Sequence, residues 1–378
     1  VRVAFDATAL LGARTGVGVF THEVLDRLAG RDDLAVVAYG VTWRGRNALV
    51  GASPPGIRVA RRPMPARPLR AAWSRFDRPP IEWFTGSVDL VHGPNFVVPP
   101  SRSAAELVTV HDLTCVRFPE LCTADTLEYP GLIRRALDRG ATIHVVSRFV
   151  GDEVRDAFGV EADRVLVIPN GVTPLVAIGP KTDAAAGARW AGSDRYVLAL
   201  GTVEPRKDLP TLVRAFDRLA DDDPELRLVI AGPNGWGADA LAAVLAASSH
   251  RDRVTRLGWV DDEQRAALVR GAAVFAYPSR YEGFGLPPLE AMAAGTPVVA
   301  TTAGSLPEVL GDAAELVPVD DPDALAVAID SVLGDTVRAE GLRQAGRERA
   351  AGFGWDATVE SLVEVYARLA GNPSSPPG

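Results

Sequence analysis

Short apolar runs alternate with amphipathic stretches along most of the chain. Residues 1–6 read as a strand, and 16–28 as a helix opened by a glycine-bearing turn. Further strands are predicted over 34–39, 88–92, 107–111, 142–146 and 165–168, with Ser147 placed to cap the next helix. The runs are rich in β-branched residues and do not alternate cleanly, as expected of parallel strands buried on both faces. A second series follows, with strands over 196–200, 226–231, 254–257, 273–277 and 297–301. Its helices run from a cap at Asp208 to about Leu219, over 238–247, from Asp261 or Asp262, and over 287–294. Alternating β and α elements imply parallel sheets with right-handed crossovers.

Residues 169–191, opening Pro169-Asn170-Gly171-Val172, are the best linker candidate. The fold expected is α/β, with two doubly wound domains at 1–172 and 173–353. Residues 354–370 hold a final amphipathic helix that packs back on the first domain, and 371–378 form an unstructured tail. Open parallel sheets bind ligands beyond the carboxyl ends of their strands. Two such domains facing across a cleft would hold one substrate each.

Length agrees: 378 residues exceed the ~250–300 at which one core stops growing. With 47% apolar and 23% charged residues, the chain is neither disordered nor collagen-like. A net charge of −8 argues against a duplex-DNA binder. No run of ~18 apolar residues predicts a membrane span, and residues 1–6 read as a strand, not a signal peptide. Cys115 and Cys122 make neither a disulfide scaffold nor a zinc finger. The compartment expected is cytoplasmic. Among 40 basic residues only Lys181 and Lys207 are lysine, a bias that points to a GC-rich bacterial genome. Each lysine therefore calls for a local reason.

Five segments carry candidate chemistry. In Glu282-Gly283-Phe284-Gly285-Leu286-Pro287-Pro288-Leu289-Glu290, two carboxylates flank a predicted helix start, where backbone N–H groups and the dipole favour phosphate. The same spacing equally reads as a loop carboxylate and a capping residue. In Gly201-Thr202-Val203-Glu204-Pro205-Arg206-Lys207, two cations follow a strand, where they would neutralise a diphosphate leaving group; the alternative is a solvated basic turn. Thr15-Gly16-Val17-Gly18 would let backbone approach a ligand, although Thr21 spoils a dinucleotide fingerprint. His111-Asp112 ends a strand, as does His92, and either histidine also reads as a satisfied core residue. Residues 58–78 hold seven arginines against Asp77, with Met64, Trp73 and Phe76 interleaved. This is either a membrane-surface or anionic-acceptor patch, or a solvated helix and loop.

Together the segments resemble the retaining glycosyltransferases of family 4, in the mannosyltransferase-like branch that reads GTxxPRK. Ser147, Ile168-Pro169-Asn170-Gly171-Val172 and Arg256-Leu257-Gly258-Trp259-Val260 fall in the family's order, so the resemblance spans nearly the whole chain. It implies the GT-B fold, with a nucleotide-sugar donor in the C-terminal domain and an acceptor mostly in the N-terminal one. It implies transfer with retention, without metal or cofactor. By that match Arg206 and Lys207 hold the diphosphate, Glu282 lies beside the transferred sugar and Glu290 binds the ribose. The backbone of Gly283, Phe284, Gly285 and Leu286 faces sugar and phosphate, and Val260 edges the base. His111 touches the sugar, and Gly16 and Gly18 admit the diphosphate. Many members carry arginine directly after the glycine of the basic segment; Thr202 stands here, and Arg206 would take over that charge. Mannose from GDP-mannose is the expected donor. Glucose, rhamnose or an amino sugar on UDP or dTDP are alternatives. Two other classes are a dinucleotide-dependent oxidoreductase and a non-catalytic sugar-nucleotide-binding protein. The acceptor is a glycan, lipid-linked or small molecule, and residues 58–78 would give peripheral contact with the inner face of a membrane.

Overall fold

The computed structural model describes residues 1–12, 15–175 and 184–371. Its strands form two separate parallel sheets in two compact units, Val1–Gly171 with the C-terminal residues from Trp355, and Val172–Gly354.

Unit 1 carries β1 (Arg2–Asp6), β2 (Ala35–Tyr39), β3 (Arg58–Val59), β4 (Leu90–Gly93), β5 (Ala105–Val110), β6 (Thr142–Val145) and β7 (Val165–Val167), in the order β3-β2-β1-β4-β5-β6-β7. Val3 and Phe5 of β1 pack on one face with Phe20, Leu90 and Tyr366, while Ala4 joins Tyr39, Val91 and Val108 on the other. Both faces are apolar, which explains strands that read as continuous hydrophobic runs. Ser147 caps the helix Arg148–Phe158, its hydroxyl accepting from the Val150 N–H at 3.2 Å.

Unit 2 carries β8 (Tyr196–Leu200), β9 (Arg227–Ala231), β10 (Val254–Gly258), β11 (Val274–Tyr277), β12 (Val298–Thr301) and β13 (Glu315–Val317), in the order β10-β9-β8-β11-β12-β13. The helix Asp262–Gly271 opens with a capping box between Asp261 and Gln264. Asp208 occupies the cap position of Leu209–Asp222, but its side chain makes no capping bond. Its backbone is left-handed, at φ 44°.

The final helix, Trp355–Gly371, belongs to unit 1. Trp355, Val359, Leu362 and Tyr366 join the cluster around Phe5 and Phe20. Its approach explains Gly171, because a Cβ there would lie 2.4 Å from the Trp355 nitrogen. Thr358 Oγ1 donates to the Pro169 carbonyl at 2.8 Å. Gly371, expected in the tail, still belongs to this helix, and residues 372–378 lie outside the described residues.

The expected linker needs correction. Residues 176–183 lie outside the described residues, but its end, Ala184–Ala191, is a helix of unit 2. Small residues there permit close packing on Asp262–Gly271: a Cβ on Gly187 would lie 2.2 Å from the Ala267 carbonyl. Met64 and Trp73, expected on a basic surface patch, are 1% and 2% exposed and sit in the unit 1 core. Only Phe76, at 65%, faces solvent among the three apolar side chains of that stretch.

Candidate active site

Glu282 follows β11 and is 5% exposed. Its Oε1 accepts from Lys207 Nζ at 2.7 Å, and its Oε2 lies 2.9 Å from Arg206 Nη1. The three residues are thus brought together across 75 positions of sequence. They meet because β8 and β11 are neighbours in the sheet, so the turns leaving their carboxyl ends converge. Lys207 also donates to the Tyr277 hydroxyl and lies 4.6 Å from that ring's centroid. Glu204 is 3.5 Å from Arg206, so the formal charges of the four residues balance.

Burial alone would push the Glu282 carboxyl up, but Arg206 and Lys207 outweigh it and hold it down to about 2. Burial lowers the Lys207 ammonium, with Glu282 pulling the other way. Glu282 is therefore ionised at neutral pH, and Arg206 and Lys207 around it are preorganised for an anion that can exchange with the carboxylate.

The glycines of the segment have specific work. Gly285 is left-handed, at φ 94°, and opens the helix Leu286–Ala293. Pro287 and Pro288 bring no N–H, so Leu286 supplies the only backbone donor among the first three helical positions. The expected row of free N–H groups is therefore shorter than the dipole argument assumed. Phe284 is buried edge-on against Phe353, with centroids 5.7 Å apart. Glu290 does not join Glu282; it is buried and paired with Arg265. Val260 is half-buried after β10, beside Trp259, which is 68% exposed.

Gly16, Gly18 and His111 belong to unit 1. Gly16 and Gly18 open the helix Gly16–Ala29, where Thr15 accepts from the Gly18 N–H at 3.4 Å. A Cβ on Gly18 would stand 3.1 Å from the Ala9 carbonyl. His111 Nε2 donates to the Pro94 carbonyl at 2.7 Å, and burial lowers its pKa. His92 is a core residue, fully buried. Its Nδ1 is 2.7 Å from the Tyr366 hydroxyl and its Nε2 2.7 Å from Thr109 Oγ1. Thr109 Oγ1 is in turn 2.9 Å from His144 Nδ1, and His144 Nε2 donates to the Ile168 carbonyl at 2.9 Å.

Sequence reasoning missed Tyr277, Arg265 and the turn after β12. There Ser305 donates from its N–H (2.9 Å) and its hydroxyl (3.1 Å) to the Glu282 carbonyl. Gly304, at φ 57°, leaves room for that contact, since its Cβ would lie 2.2 Å from the same oxygen. A glycine three residues beyond the end of a predicted strand was the available signal. Among the described residues, no group of three or more His, Cys, Asp or Glu is placed to hold a metal, and no helix is long and apolar enough to cross a membrane.

Residues 14–174 match the Glycosyltransferase Family 4 domain and 181–349 the Glycosyl transferases group 1 domain. The chain is 32% identical over 314 residues to an O-antigen chain mannosyltransferase B of Escherichia coli, covering 80% of this chain and 78% of that protein. It is 32% identical to a D-inositol 3-phosphate glycosyltransferase of Kineococcus radiotolerans, covering 76% and 70%. A sucrose-phosphate synthase from Thermosynechococcus elongatus shares the fold, with a TM-score of 0.77 over 97% of this chain and 98% of that one at 23% identity. Two parallel Rossmann-like sheets, each with its signature segments at the carboxyl edge, and these likenesses lead to one assignment: the chain belongs to the family 4 glycosyltransferases, enzymes of GT-B fold.

Proposed function

We propose that this glycosyltransferase moves mannose from GDP-mannose, with retention of anomeric configuration, to a hydroxyl of a glycan or lipid-linked acceptor. The observation that carries the reading is the buried Arg206–Glu282–Lys207 cluster at the carboxyl ends of β8 and β11. Likeness to the E. coli mannosyltransferase supports the sugar. The inositol-phosphate relative favours a second reading, in which another hexose travels on UDP or dTDP to a small acceptor.

In this reading the bond from the anomeric carbon to the diphosphate oxygen breaks as a bond to the acceptor oxygen forms. The acceptor's proton passes to the departing phosphate oxygen on the same face, so no protein base is required. Arg206 and Lys207 stabilise the charge that develops on the diphosphate, in place of a metal or cofactor. Glu282 steadies the sugar's hydroxyls and Glu290 the ribose. Gly283, Phe284, Gly285, Leu286 and Val260 line the donor, while His111, Gly16 and Gly18 enter through motif order alone. Exposed arginines at 61, 62, 67 and 75 and the exposed Phe76 support peripheral contact with the inner face of a membrane, from a cytoplasmic position. The burial of Met64 and Trp73 narrows that surface.

The test is a thermal-shift series with GDP, UDP, dTDP and ADP, followed by turnover and anomer analysis. The preferred nucleotide at 100 times its Kd stabilises by roughly 2.7 kcal/mol. GDP leading the series and an α-linked product are expected. No response to any nucleotide would sink the reading, and a β-linked product would remove retention from it.

A further inference from the structure

The order of the unit 1 sheet reverses between β1 and β4, so the chain leaves their carboxyl ends in opposite directions. A crevice at such a switch point is where open parallel sheets take ligands. A cavity of about 150 Å³ lies there. At ~30 Å³ per water it holds about five waters, room for one small ring. Asp6, the last residue of β1, and Thr8 beyond it line the cavity, with Asn95 after β4; Arg70 and Trp73 come from the helix Ala66–Trp73, and Tyr129 opens the helix Tyr129–Asp138.

Arg70 is half-buried, and its guanidinium makes no hydrogen bond or ion pair with any described residue. It acts on Asp6 and Tyr129 only as a nearby charge. Other half-buried arginines of this unit have partners: Arg139 meets Glu106 at 2.7 Å, Arg27 meets Glu23 at 2.6 Å, and Arg164 donates to the Leu137 and Ala141 carbonyls at 3.0 and 2.7 Å. A guanidinium withdrawn from water without a carboxylate is an open place for an anion.

Asp6 has capacity left as well. Its Oδ1 accepts from the N–H of Thr8 at 2.8 Å and from the Thr8 hydroxyl, while Oδ2 has no partner among the described residues. Burial pushes this carboxyl up to about 6, with Thr8 and Arg70 pulling it down. The adjoining wall is held rigid. Phe96 has a left-handed backbone, φ 61°, and stacks on Tyr129 with centroids 4.8 Å apart. A Cβ on Gly93 would lie 1.9 Å from the Val97 carbonyl, and His111 holds the Pro94 carbonyl. Backbone strain kept in place by packing is characteristic of ligand clamps.

We propose that this cavity is the acceptor subsite, taking a sugar or polyol whose hydroxyls meet Asp6 and Asn95 and whose phosphate ester pairs with Arg70. The inference rests on the glycosyltransferase reading and adds to it the charge of the acceptor. The phosphate belongs either to a free sugar phosphate or to a lipid-linked one.

The test is calorimetry on the full chain, saturated with nucleoside diphosphate so that an added ester is denied the diphosphate site. The probes are mannose, mannose 6-phosphate and a short-chain prenyl-diphosphate mannose. At least one phosphate-bearing probe binds tenfold or more tightly than mannose. Arg70→Gln abolishes that preference, Arg70→Lys keeps part of it, and Asp6→Asn weakens every probe. None of the three changes affinity for the nucleoside diphosphate, and thermal melting checks their folding. Preference for mannose 6-phosphate assigns the phosphate to a free ester, and preference for the prenyl compound to a lipid headgroup. Equal binding of charged and uncharged probes overturns the proposal, as does an undiminished preference in Arg70→Gln. Should the nucleoside diphosphate fail to bind while the Arg70-dependent preference persists, the transferase reading falls and the anion site stands.

Discussion

Two buried polar clusters, one in each unit, are built in opposite ways. Unit 2 gathers charges: Glu282 between Lys207 and Arg206, and Glu290 against Arg265. Unit 1 keeps a neutral chain running from Tyr366 through His92, Thr109 and His144 to the Ile168 carbonyl. Proton bookkeeping along that chain allows one consistent direction. His144 Nε2 must donate to the carbonyl, so its Nδ1 accepts from the Thr109 hydroxyl. The Thr109 oxygen then accepts from His92 Nε2, and His92 Nδ1 accepts from Tyr366. Every group is satisfied with both imidazoles neutral, and an added proton would find no acceptor. The lesson is one of cost. A buried ion pair holds charge ready for an anionic ligand, whereas a neutral relay fixes the final helix to the sheet and is vulnerable to acid.

The largest effect expected from breaking this contrast lies in unit 2. Lys207→Ala should lower the transfer rate about 10²–10³-fold, the usual loss for one preorganised electrostatic donor. Glu282→Ala should also cut the rate, and steady-state kinetics with the preferred nucleotide-sugar measures both. Wild-type rates in the two variants would remove the cluster from the reaction.

The acid response sharpens the comparison next. Burial, first of all, lowers His92 well below its ordinary value, and it takes His144 down to about 4. The unfolded chain therefore binds these protons first. Stability is complete above about pH 6.5 and falls as pH drops towards 4, by about 3 kcal/mol for His144 alone. Glu282, held to about 2 in the fold, gives up its share only in a later window, as pH falls from about 4.5 to 2. Asp6, whose carboxyl burial raises to about 6, works in the opposite sense as pH falls from about 6 to 4, so the melts are read in Asp6→Asn, which removes that titration. In that background, melts from pH 8 to 4.5 should decline before the Glu282 carboxylate is touched, and a flat profile would contradict the neutral relay.

The smallest effect is local. Ser147→Ala removes a cap and should cost about 1 kcal/mol in urea denaturation, with nucleotide affinity unchanged.

Much of the frame was legible without coordinates. The strand Tyr196–Leu200 and the helix Ala238–Ala247 begin and end where the apolar pattern placed them. The Ser147 cap needed only its neighbours, and the order of the signature segments sufficed for the family. Other features resisted. The helix Ala184–Ala191 looked like linker because small residues weaken local helical signals, yet they are what permit its close packing. Met64 and Trp73 sat among arginines, and contacts distant in sequence drew them into the core.

What the chain determined by itself was therefore periodic or local: alternating strands and helices, caps, glycine turns, and carboxylates and cations at strand ends. Which of these groups meet was decided only in three dimensions. Glu282 found Lys207 75 residues away, Glu290 turned to Arg265, His92 reached Tyr366 across 274 positions, and Arg70 was left facing a cavity. The physical reason is range. Caps and periodicity act within a turn or two of chain, whereas pairing and desolvation depend on which strand ends the sheet order makes neighbours.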